Sequence, residues 1–199
     1  MKPLDLASCE AFRRELRPAK LACPLVIRDF PAAAQLHAYD GGHDVEYVIV
    51  ERAAGEHIAI TIGYAPRVEG TTLIYDLTAE TLQGKARPFA CDLSQPTPRC
   101  YALLPTQIEE ITIQFVPATR SHTLVVEFHD AQSERIQGAL PFRLVLRNAA
   151  GEVVSEELAC TGRDGRFTRA GISQGELPAG GEVIVRSLLT GREATARQP

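Results

Sequence analysis

The sequence predicts an all-β chain of two tandem β-sandwiches with one short N-terminal helix. Three observations lead there. From about residue 24 onward apolar residues alternate with polar ones at a period of two, which puts every second side chain on one face of a strand. Turn-forming residues punctuate these runs at Asp40-Gly41-Gly42, Ala54-Gly55, Glu69-Gly70, Gln83-Gly84 and Ala150-Gly151. No strand-helix-strand alternation occurs, which argues against a nucleotide-binding parallel sheet. A chain of 199 residues accommodates two sandwiches, and the expected division is 1–23 for helix and lead-in, 24–116 and 117–199 for the sandwiches.

The helix is expected over residues 5–17. Asp5 can cap it, and Leu6, Cys9, Phe12 and Leu16 recur at spacings of three and four. Arg13, Arg14 and Arg17 complement its C-terminal dipole, and Pro18 stops it. Strands follow. Ile58, Ile60, Ile62 and Tyr64 alternate with polar or small residues; Leu73, Tyr75 and Leu77 share one face while Ile74 and Asp76 take the other. Phe89, Cys91 and Leu93, then Ile111, Ile113 and Phe115, continue the first series. The polar, proline-bearing stretch Val116-Pro117-Ala118-Thr119-Arg120-Ser121 reads as a linker. Beyond it come Leu124, Val126 and Phe128, then Phe142, Leu144 and Leu146, then Val153, Val154 and Leu158, and finally Val183 and Val185.

Composition narrows the function classes. Lys and Arg number 21 against 25 Asp and Glu, a net charge of -4, and phosphate contacts need the clustered cations that this balance lacks. No nucleic-acid partner is therefore expected. A hydrophobic content of 45% with so small a net charge also excludes intrinsic disorder. No run approaches the ~18 apolar residues of a membrane span, and no apolar region follows Lys2 as in a secretory signal. The cytosol is the expected compartment for the chain as given, and a fragment of a longer exported protein would lack its leader.

Five cysteines, at 9, 23, 91, 100 and 160, cannot all pair and match no zinc spacing. A hairpin around Gln95-Pro96-Thr97-Pro98 would set Leu93 opposite Cys100 and Cys91 opposite Ala102. The two sulfurs would then be diagonal, with Cα atoms about 7–8 Å apart and beyond disulfide reach. Buried free thiols are expected.

Candidate chemistry concentrates in His37-Ala38-Tyr39-Asp40-Gly41-Gly42-His43-Asp44. Two imidazoles and two carboxylates are the donor types that hold a divalent metal, yet Asp-Gly-Gly is also an ordinary turn. A carbohydrate site at this loop would use Tyr39 as stacking platform, with Asp40, His43 and Asp44 as polar partners; Tyr101 is the other tyrosine expected to be exposed. No Gly-x-Ser-x-Gly elbow, cysteine-protease context or phosphate loop is present, and Thr161-Gly162-Arg163-Asp164-Gly165 reads as a turn.

The runs Glu46-Tyr47-Val48-Ile49-Val50-Glu51-Arg52, Leu73-Ile74-Tyr75-Asp76-Leu77, Cys91-Asp92-Leu93 and Tyr101-Ala102-Leu103-Leu104-Pro105 follow one another in a recognisable order. Their succession resembles the C-terminal β-sandwich region of large bacterial β-galactosidase-like glycoside hydrolases. The second half, through Val126-Glu127-Phe128-His129-Asp130 and Pro178-Ala179-Gly180-Gly181-Glu182, is similar to the macroglobulin-like and immunoglobulin-like modules that often follow there. Glu51-Arg52 departs from the family's strand, which usually ends in asparagine. The family's catalytic residues lie on a TIM barrel with no counterpart in this sequence, so none carries over.

The resemblance implies two immunoglobulin-like sandwiches serving as a non-catalytic accessory or scaffold region, without cofactor, that packs against a parent enzyme domain or another protein partner. The apolar surface for this would come from the 5–17 helix with Leu21, Leu25 and Ile27. The alternatives are a carbohydrate-binding module at Tyr39, Asp40, His43 and Asp44, and a metal-dependent hydrolase at the His37/His43 loop.

Overall fold

The computed structural model describes residues 16–18, 25–28, 34–43, 45–52, 59–64, 72–85, 89–93, 98–119, 121–173 and 175–198. The period-two runs form strands in four antiparallel sheets, and the described residues contain no helix. Consequently none of them is in a helix long and apolar enough to cross a membrane. Residues 5–15 of the expected helix lie outside the described residues. Its expected last residue, Arg17, is instead strand, paired with Asp40.

The first sheet system has two layers. A six-stranded sheet runs in the order β1 (Arg17–Pro18), β3 (Ala34–Gly42), β4 (Val45–Arg52), β9 (Arg99–Leu104), β6 (Leu73–Asp76) and β7 (Thr81–Lys85). A three-stranded sheet joins β2 (Leu25–Arg28), β5 (Ala59–Tyr64) and β8 (Phe89–Asp92). Both faces of the larger sheet are buried at its central strands β4, β9 and β6. Val45, Tyr47, Tyr75, Ala102 and Leu104 share a hydrophobic core with residues of the second half. Val48, Ile74, Tyr101 and Leu103 alternate with them and are buried as well. The Tyr101 hydroxyl reaches the Cys91 sulfur at 3.2 Å, which brings β8 against this second face.

Ile74 and Asp76 are buried on the face opposite Leu73 and Tyr75 as well. The layering also corrects one expectation. Cys91 and Cys100 are not diagonal partners of a hairpin: β8 pairs with β5, while β9 pairs with β4 and β6. Cys91, Cys100 and Cys160 form no disulfide and are buried, as thiols that pack like small apolar groups.

The second sheet system comprises β10 (Glu110–Pro117), β11 (Ser121–His129) and β14 (Arg166–Ser173) in one sheet. The other holds β13 (Val153–Cys160), β12 (Pro141–Arg147), β15 (Glu182–Ser187) and β16 (Glu193–Arg197) in that order. Leu124, Val126 and Phe128 from one layer share the core with Phe142, Leu144, Leu146, Val183 and Val185 from the other. Phe142 sits at the centre, 5.7 Å from the Phe128 ring and 5.2 Å, edge to face, from Phe167. Each such fully buried side chain contributes about 1.5–3 kcal/mol by its removal from water.

The stretch expected as a linker is a hairpin. Val116 pairs with Thr123 and Pro117 with His122, and the Ala118 amide donates to the Ser121 carbonyl at 2.9 Å. Ile111, Ile113 and Phe115, expected in the first sandwich, therefore belong to the second sheet system. Pro117 is tolerated because it ends an edge strand, where no ladder donor is required. Val153 and Val154, which the sequence places in a strand after the Ala150-Gly151 turn, are about half exposed, at 54% and 50%. β13 is an edge strand, and the register slips between Leu146 and Arg147 so that Val154 has no partner opposite.

Candidate functional site

The loop that the sequence marks for chemistry is the hairpin tip joining β3 to β4. Asp40 shapes it: its Oδ1 accepts the Gly42 amide at 2.7 Å, closing an Asx turn. Gly42 and His43 then adopt positive φ, 92° and 46°, the conformation for which the Asp-Gly-Gly signal was read. The register slips between Asp40 and Gly42, so Gly41 is unpaired in the ladder and its carbonyl accepts the Ala139 amide at 2.9 Å.

The second half occupies this tip. The Arg163 guanidinium donates to the Asp40 carboxylate at 2.7 Å and to the Asp40 carbonyl at 3.1 Å. It also lies so close over Gly42 that a Cβ there would sit 3.2 Å from Arg163 Nε. Nearby, the Tyr47 hydroxyl donates to the Ala139 carbonyl within the buried core. Burial pushes the Tyr47 phenol pKa well up, so the group stays protonated and a donor.

The remaining candidates separate. Tyr39 pairs with Tyr47 in the ladder and is partly buried against the core, so its ring is not a free-standing platform. His43 is exposed at the tip, and Asp44 lies outside the described residues. His37 stands on β3, with Nε2 3.7 Å from Glu51 Oε2 and both side chains more than 40% exposed, a loose contact of little energetic weight. Among the described residues no group of three His, Cys, Asp or Glu side chains is placed to hold a metal ion. Tyr101, expected to be exposed, is buried; burial, chiefly, and its bond to Cys91 raise the phenol pKa.

One polar cluster escaped the sequence reading. Glu127, on the outer face of β11, accepts Arg135 Nη1 at 2.9 Å and Arg166 Nε at 2.8 Å on the same oxygen. Burial alone would raise its pKa, but the two guanidiniums outweigh that and hold the carboxyl below its ordinary value. His129 Nε2 lies 3.2 Å from Thr112 Oγ1 and 3.6 Å from Glu127 Oε2, while Nδ1 lies 3.2 Å from the Ser133 carbonyl. The carbonyl can only accept, so that contact uses a proton on Nδ1. This is not the relay of a hydrolase, in which hydroxyl and carboxylate bind opposite ring nitrogens. Here both address the same one. The parity of Glu127 and His129 against Val126 and Phe128 was visible in the sequence; the arginines were not, because Arg166 opens a strand that the reading left out.

No protein-family model matches the chain, and neither a curated protein nor a solved structure does.

Proposed function

We propose that the chain is a non-catalytic β-sheet scaffold, an accessory region that packs against a larger bacterial protein, in keeping with its resemblance to the C-terminal sandwiches of β-galactosidase-like glycoside hydrolases. The observation that carries this reading is the engagement of Asp40: the loop richest in potential ligands is committed through Arg163, Gly41 and Ala139 to holding the molecule together. The finer architecture we propose is immunoglobulin-like in the second half. Its order, β10-β11-β14 over β13-β12-β15-β16, gives a seven-stranded antiparallel sandwich of three strands on four.

The reading is tested with a glycan array, run on EDTA-treated and calcium-loaded protein, beside hydrophobic-dye binding and sedimentation velocity. Silence on the array together with dye binding or self-association supports a packing module. Saturable binding to one glycan family that Tyr39→Ala removes would replace it with a carbohydrate-binding module. Glycan binding lost only in EDTA would move attention to His37 and His43. A monodisperse monomer that binds neither glycan nor dye would leave the scaffold reading without its apolar contact surface and overturn it.

A further inference from the structure

Two ion pairs join the first sheet system to the second, and both run in the same sense. Asp40 and Glu80 supply the carboxylates; Arg163 and Arg186 supply the guanidiniums, at 2.7 and 2.6 Å. No ion pair between described residues crosses the other way. Each of the two arginines makes a double contact. Arg163 takes the carboxylate and carbonyl of Asp40. Arg186 grips one oxygen of Glu80 through Nε at 3.0 Å and Nη2 at 2.6 Å. Glu80 holds a left-handed φ of 52°, a conformation glycine adopts more readily, at the position from which its carboxylate meets Arg186.

Between these pairs lies an uncharged centre: the Tyr47–Ala139 and Ala139–Gly41 hydrogen bonds, and Val45 packed on Gly138. Apolar burial is non-directional and does not by itself choose an angle. Charge of one sign on each side does, because alternative dockings lose these pairs and leave their charges unmatched. We propose that the seam is a charge-polarised latch that fixes the angle between the two sheet systems and makes them unfold as one body. This holds whether the chain serves a protein partner or a glycan, so its failure is distinguishable from that of the scaffold reading.

Differential scanning calorimetry of the full chain tests it. The unaltered protein is expected to unfold in one transition whose calorimetric and van't Hoff enthalpies agree. Reversing two arginines, Arg163→Asp with Arg186→Glu, is expected to split that transition in two. Reversing Arg143→Glu with Arg169→Glu, which breaks ion pairs inside the second sheet system only, is the control and is expected to keep a single transition. Should the seam reversal prevent folding, the neutral pair Arg163→Gln with Arg186→Gln reads the same split. Two transitions in the unaltered protein, one transition in both seam variants, or a split in the control would overturn the latch.

Discussion

Gly138 is the sharpest probe of how tightly the two sheet systems meet. It adopts a φ of 132°, and a Cβ there would fall 2.5 Å from Val45 Cγ2 and 3.1 Å from the Gly42 carbonyl. Val45 is completely buried and cannot swing away. Gly138→Ala therefore carries two penalties, a backbone conformation that side chains rarely adopt, about 1–3 kcal/mol, and overpacking, about 1–3 kcal/mol more. Gly84 supplies the control: its φ is 110°, and a Cβ there would meet nothing within 4 Å. Gly84→Ala carries the backbone term alone. Urea unfolding of both variants, with m-values checked for constancy, isolates the difference, expected at about 1–3 kcal/mol against Gly138→Ala. A difference below about 0.5 kcal/mol, at the scale of ordinary surface substitutions, would mean that Val45 and Gly138 are not in close contact, and the seam as described would be wrong.

Tyr47→Phe leaves the buried Ala139 carbonyl without its phenolic donor and should lower stability by about 1–3 kcal/mol in the same assay. Glu127→Gln tests the charged cluster through pH. Because the folded state holds this carboxyl below its ordinary value, its contribution is complete above the unfolded value of about 4.3 and is lost as pH falls through the folded one. The variant should thus be less stable than the parent at neutral pH, with the gap closing in acid; a gap that stays constant with pH would exclude the assigned ion pairs. Val153→Thr with Val154→Thr, on an exposed edge, should each change stability by no more than about 0.5 kcal/mol.

How much of this was legible follows from what each signal depends on. Alternation is a local property of a strand, so the β class and most strands could be read: Leu124, Val126 and Phe128 face inward as their spacing requires. Partnership is not local. Cys91 and Cys100 are nine residues apart with a turn-like Gln95-Pro96-Thr97-Pro98 between them, and the simplest inference pairs their strands. The chain instead passes from one layer to another, and only the position of β5 and β4 decides which layer each strand joins. β14 and β16 were missed because alternation is weak there: Arg166, Thr168, Ala170 and Gly171 are exposed, and Glu193-Ala194-Thr195-Ala196-Arg197 contains no large apolar residue.

The candidate loop shows the same limit in its chemistry. Asp40-Gly41-Gly42-His43 announces a turn, and its turn geometry is present, because φ preferences and Asx hydrogen bonding are written in adjacent residues. Whether its carboxylate faces solvent depends on a residue 123 positions away, Arg163, which itself sits in a glycine-flanked turn with no distinguishing pattern. A turn rich in polar groups is equally suited to meet a ligand or another turn. Glu80 and Arg186, 106 positions apart, repeat the lesson: each reads as an ordinary surface charge until folding sets them against one another. Asp40, the carboxylate of the candidate loop, is held by Arg163, so a search for binding chemistry in this chain is best directed away from Asp40 and toward surfaces outside the seam.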